Sequence, residues 1–179
     1  MREILFRGKR TNNGRWIEGY YMHHLNRMQS PLSDCIKPED EDHIILYDGF
    51  ADWNMPRDIT YVHVDPETVC QYTGLKDKNG KRIFEGDIVR DTGAAEYRLL
   101  SDGRKKPRSR LAVVKYGLHD VPSDDPFCWG MALGFYLDGD TVYPTLAWYK
   151  PYYEYGKYEI EVIGNIHDNP EMIGGKEDA

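Results

Sequence analysis

Short apolar runs separated by turn residues, with no long amphipathic stretch, set the pattern of this chain. Ile4-Leu5-Phe6-Arg7-Gly8-Lys9-Arg10 and Arg15-Trp16-Ile17-Glu18-Gly19-Tyr20-Tyr21 flank Thr11-Asn12-Asn13-Gly14. Asn-Gly tolerates the left-handed backbone of a tight reversal, so these runs predict an N-terminal β-hairpin. From Met22 to Asp42 prolines, serines and acids mix without a period, which predicts a long variable loop at about residues 22–42. His43-Ile44-Ile45-Leu46-Tyr47 and Tyr61-Val62-His63-Val64 have strand length. After them, Asp65-Pro66-Glu67-Thr68 joins a capping residue to a first-turn proline and predicts one short helical turn.

Val69-Cys70-Gln71-Tyr72-Thr73 and Arg82-Ile83-Phe84 flank a second Asn-Gly reversal at Asn79-Gly80, and Glu85-Gly86 breaks the chain before Asp87-Ile88-Val89-Arg90. Leu111-Ala112-Val113-Val114-Lys115-Tyr116 should pair back into the same sheet. The segment between these two runs is strongly basic. From Arg98 to Lys115, seven cationic side chains stand against one acid, Asp102, and the segment reads as a projecting basic arm at about residues 92–110. Phe127 to Leu137, Thr141 to Trp148 and Tyr158 to Ile163 complete the strand candidates. Asn169-Pro170-Glu171-Met172-Ile173 has a cap and a first-turn proline, and Gly174-Gly175 stops the short C-terminal helix it predicts.

Composition narrows the class. The 179 residues, 40% hydrophobic and 30% charged, suit a single globular domain over residues 1–179. No apolar run approaches the ~18 residues of a membrane span, and the N-terminus lacks the apolar core of a signal peptide. We therefore expect a cytoplasmic protein with no membrane partner. Aromatic residues reach 13%, led by 14 tyrosines, which favours strands. The fold expected is mainly β (α+β), with antiparallel hairpins in a small barrel-like or sandwich sheet core. Cys35, Cys70 and Cys128 are too few and too scattered for a disulfide framework or a CxxC site. The net charge of −7 argues against a surface that coats nucleic acid along its whole extent.

One stretch carries kinship. Val64-Asp65-Pro66-Glu67-Thr68-Val69, then Gln71-Tyr72-Thr73-Gly74-Leu75-Lys76-Asp77-Lys78-Asn79-Gly80-Lys81, then Ile83-Phe84-Glu85-Gly86-Asp87-Ile88-Val89 strongly resembles the YopX family. Met1-Arg2-Glu3-Ile4-Leu5-Phe6-Arg7 and Ile160-Glu161-Val162-Ile163-Gly164-Asn165-Ile166-His167-Asp168-Asn169-Pro170-Glu171 look like the ends of that family. The resemblance implies a small phage- or prophage-borne protein of a bacterial host cell, mainly β and oligomeric, and implies no reaction. Met22 to Ile59 and Thr92 to Gly156 match it poorly. Physically, Gly74, Asn79, Gly80, Glu85, Gly86 and Asp87 form a structural motif in which glycines permit reversals and Asp87 accepts turn amides.

Candidate chemistry is sparse. Glu85 and Asp87 could share a strand face as a carboxylate pair, although capping the turn around Gly86 explains both more simply. His23 and His24 point to opposite sides of an extended segment, and His63 with Asp65 and His167 with Asp168 are isolated pairs, so surface or turn roles are expected and no metal site. Cys70 is read as a small buried hydrophobe rather than a nucleophile. Phosphate-loop and nucleophile-elbow signatures are absent, and no cofactor is expected.

Two surfaces remain. Arg104, Lys105, Lys106, Arg108 and Arg110 could contact phosphates, with Tyr97 available for stacking; the preferred alternative is a solvated or disordered arm, or one that docks on an acidic surface of another copy, such as Glu39 to Asp42. Trp148, Tyr149, Tyr152, Tyr153 and Tyr155 form the densest aromatic group, and self-association is their expected use after core packing. The function expected is a non-enzymatic homo-oligomeric interaction protein. The alternatives are a nucleic-acid-binding accessory protein and, behind it, an enzyme with a site between subunits.

Overall fold

The computed structural model describes residues 3–26, 37, 40–49, 57–91, 97–99, 105–107, 110–122, 129–139 and 160–174. The chain divides into two compact units, Met1–Tyr72 and Thr73–Ala179. It is mostly antiparallel β, with one short helix among the described residues.

In the first unit β1 (Phe6–Lys9), β2 (Trp16–Leu25), β3 (Glu41–Asp48), β4 (Ile59–His63) and the start of β5 (Cys70–Lys76) lie in the order β4-β3-β2-β1-β5. The first hairpin closes where Arg10 N–H donates to the Arg15 carbonyl, with Gly14 N–H donating to Arg10 inside the loop. Strand β2 continues to Leu25 and β3 opens at Glu41, so residues 22–25 and 41–42 are paired strand where a loop was expected. Polar side chains on both faces of this ribbon (His23, His24, Glu41, Asp42) erase the alternation by which a half-buried strand announces itself. Leu5, Ile44, Ile45, Val64, Cys70 and Tyr72 are buried. Asp65 caps a single 3-10 turn at Pro66–Thr68 by accepting Glu67 N–H, as the Asp-Pro pair predicts.

In the second unit the end of β5 is followed by β6 (Arg82–Phe84), β7 (Asp87–Asp91), β10 (Arg110–Pro122), β11 (Trp129–Gly139) and β12 (Ile160–Asn165). The last four form a sheet in the order β11-β10-β7-β12. Strands β8 (Tyr97–Leu99) and β9 (Lys105–Pro107) pair as a two-stranded ribbon. Ile83, Val89, Ala112, Val114, Phe135, Leu137, Ile160 and Val162 pack into one core. The sheet order is open, with β11 and β12 as its edges among the described residues, so the expected barrel-like body is not a closed barrel. Helix α1 (Glu171–Gly174) follows Asn169-Pro170, and no described helix is long and apolar enough to cross a membrane.

Two buried carboxylates hold the central reversals of this unit. Asp77 Oδ1 accepts Asn79 N–H at 2.8 Å and Lys81 N–H at 2.9 Å, while its Oδ2 accepts Val162 N–H at 3.1 Å, 85 residues away. One side chain thus shapes a turn, whose Gly80 takes φ 80°, and ties it to β12. Asp87, fully buried, accepts Phe84 N–H at 2.8 Å, and Gly86 N–H between them donates to Val114 of β10 at 2.7 Å. Asp77→Ala leaves three amides without their carboxylate acceptor and should cost about 3 kcal/mol in urea unfolding. Exposed Lys76→Ala should cost less than about 0.5 kcal/mol. A comparable, small loss for both would contradict the clamp.

Candidate functional site

Alternation along β10 and β11 builds one face almost wholly from apolar side chains. The register pairs Val114 with Leu137, Tyr116 with Phe135, Leu118 with Leu133 and Asp120 with Met131. Because side chains alternate with period two, Ala112, Val114, Tyr116 and Leu118 share that face with Met131, Leu133, Phe135 and Leu137. Its inner half, Ala112, Val114, Phe135 and Leu137, is core. Its outer half is open: Tyr116 is 49% exposed, Leu118 61%, Met131 63% and Leu133 68%. The opposite face is mixed, with buried Val113 and His119 beside exposed Lys115 and Asp138. There Lys115 bonds Asp138, which raises the lysine above its ordinary pKa, and His119 stacks on Tyr136 at 4.8 Å.

The structural motif of the central segment lies beside this hairpin. Asp87 is closed off from solvent and turned to Phe84 N–H, so it has no open side for an ion. Glu85 is half-buried, and desolvation raises its pKa above the ordinary 4.5, opposed by the backbone N–H of Tyr116 that bonds it. This pair is therefore arranged around a turn, with one carboxylate sealed and the other leaning on β10.

Of the five basic candidates, Lys105, Lys106 and Arg110 are placed by their backbone alone. Lys105 and Lys106 lie on β9, opposite Leu99 and Arg98, and Arg110 opens β10 opposite Asp91. Arg104 and Arg108, and the aromatic candidates Trp148, Tyr149, Tyr152, Tyr153 and Tyr155, lie outside the described residues. Cys70 is buried and its Sγ contacts the Thr68 carbonyl at 3.3 Å. The backbone N–H groups of His167 and Asp168 both donate to Asn165 Oδ1 in a turn after β12.

One grouping was not foreseen. His23 of β2 stands opposite His43 of β3, and Glu41 contacts both rings. The signal needed was the β2–β3 register, which a segment read as loop does not supply. Burial, and then the charge of Glu41, push the Tyr21 phenol beside His43 above its ordinary pKa.

The model of the YopX family, described as YopX protein, matches residues 5–174. The chain belongs to the YopX family. The match spans Met22 to Ile59 and Thr92 to Gly156 as well as the central motif. Comparison with curated proteins returns no match.

Glu85 generates a pH prediction. Its raised folded-state pKa means that the folded protein binds more protons than the unfolded chain between the two pKa values, so its contribution to stability falls as pH rises from about 4.5 through the folded value. Glu85→Gln keeps an acceptor for Tyr116 N–H and removes the charge. The variant should unfold at higher urea than the parent at neutral pH, and the gain should vanish below pH about 4. A gain that persists unchanged in acid would contradict this origin.

Proposed function

We propose that this YopX protein is a phage- or prophage-type interaction module of the bacterial cytoplasm, without catalysis, that assembles with further copies of itself through the outer half of the β10–β11 face. The observation that carries the reading is the continuity of that face: the same apolar row that forms the core runs on into the open through Tyr116, Leu118, Leu133 and Met131. Contiguous apolar surface of this kind favours a partner. A second copy suits it because the row comes from two antiparallel strands and presents leucine to leucine and tyrosine to phenylalanine, so a two-fold axis through it brings like against like. Its centre holds no charge; Asp120, opposite Met131, marks its rim.

Light scattering after size exclusion should give a mass at a multiple of 20.9 kDa for the parent. Leu118→Lys with Leu133→Lys, both at exposed positions, should give the monomer with an unchanged far-UV spectrum. A parent that is monomeric at all concentrations, or a double variant that still assembles, would remove the reading.

The ribbon β8–β9 supports a second reading, binding of nucleic acid. The backbone of this ribbon carries Arg98 on β8 and Lys105 and Lys106 on β9, inside a segment where seven cationic residues stand against one acid, the composition that a polyanion favours. Replacing Arg104, Lys105, Lys106, Arg108 and Arg110 by Ala should then abolish binding of single-stranded DNA or RNA, and parent affinity should fall steeply with salt. Salt-independent or unaltered binding would exclude it.

A further inference from the structure

Strands β2 and β3 carry a set of side chains that the interaction reading does not use. Their register places His23 against His43, with Glu41 two residues before His43 on the same strand and therefore on the same face. The imidazoles are stacked, 4.6 Å apart and within 3° of parallel. Glu41 Oε2 lies 3.3 Å from His23 Nε2 and 3.6 Å from His43 Nε2. All three ligand atoms fall within 4.8 Å of one another. Bonds of ~2.0–2.1 Å to nitrogen and oxygen at tetrahedral angles separate neighbouring ligand atoms by about 3.4 Å, so two of the three edges already have coordination length. Parallel rings hold their in-plane lone pairs parallel, so binding requires the His23 ring to turn out of the stack; its side chain is 48% exposed, and solvent on that side leaves room for the turn.

A further contact orients the set. Tyr21, two residues before His23 and on the same face, holds its hydroxyl 2.6 Å from His43 Nδ1. When that nitrogen carries the proton and donates to the phenol oxygen, the Nε2 lone pair of His43 is left facing Glu41. This is the outer-shell bond that fixes tautomer and ring orientation at histidine metal sites. His43 is the more enclosed imidazole and His23 the open one, so the three ligands form a tripod with one side toward solvent.

We propose that His23 Nε2, His43 Nε2 and the Glu41 carboxylate form a site for one zinc-class divalent cation, with water in its remaining position. Two imidazoles and one carboxylate suit zinc, cobalt or nickel, and two neutral nitrogen donors suit calcium and magnesium poorly. The site belongs to the first compact unit and is independent of the β10–β11 face. His24 and His63, which lie at the other register parity, take no part: His63 instead contacts Asp42 at 3.6 Å.

Calorimetric titration of zinc chloride into tag-free, chelator-treated full-length protein tests the site. One equivalent should bind saturably. His23→Gln and Glu41→Gln, both at partly exposed positions that leave the sheet intact by far-UV spectrum, should each abolish that equivalent over the same concentration range. Tyr21→Phe should keep the equivalent and weaken it about tenfold, and His24→Gln should bind as the parent does. Zinc should raise the thermal midpoint of the parent and of His24→Gln, and leave that of His23→Gln unchanged. Absence of saturable binding, or an equivalent that survives both His23→Gln and Glu41→Gln, would overturn the proposal.

Discussion

Strand register is the constraint on which the rest of this structure depends. Side chains alternate along a strand, so a slip of one residue would carry every apolar group of a strand to its opposite face. In the second unit the register is held by carboxylates that accept backbone amides. Asp77 clasps its own reversal and β12 together, and Asp87 closes the turn into β7, the strand that lies between β10 and β12. Both are buried, so each bond operates in a medium where losing it is expensive.

The consequences reach the apolar β10–β11 face of the second unit and the paired imidazoles of the first. With β7 placed, Ile88 and Val89 meet Val113 and Ala112 of β10, and the β10–β11 hairpin turns its apolar row toward the core at one end. That row does not end where the core ends. Tyr116, Leu118, Met131 and Leu133 continue it outward, and the same pairing that buries Val114 and Leu137 therefore produces an exposed apolar tip. On the first unit, register has a chemical result: it stacks two imidazoles and leaves a carboxylate and a phenol at their nitrogens.

Much of the body was legible in the chain. Asn-Gly reversals, the Asp-Pro cap and the runs around Ile44, Ile88 and Val114 declare themselves through backbone preference and hydrophobic period, which are local properties. Membership of the YopX family was legible from Val64 to Val89, where the Asp-Pro cap, turn glycines, acids and short apolar runs combine in a long motif. The paired part of residues 22–42 was not, because His23, His24, Glu41 and Asp42 put polar groups on both faces and Pro31 and Pro38 break any period. Nor was the partnership of His23, Glu41 and His43, since Glu41 to His23 is a contact across strands, set by which residues face each other. The role of Asp77 was hidden for the same reason: its third partner, Val162, is 85 residues away.

Register in the β10–β11 hairpin is open to a direct chemical measurement. In a background with Cys35, Cys70 and Cys128 replaced by Ala, the pair Leu118→Cys and Leu133→Cys should close an intrachain disulfide under mild oxidation, since directly opposed positions bring Cβ atoms within about 5.5 Å. The pair Leu118→Cys and Ala132→Cys, one residue out of step and on the other face, should stay reduced. Closure of the second pair with the first left open would contradict the register and the apolar row built on it.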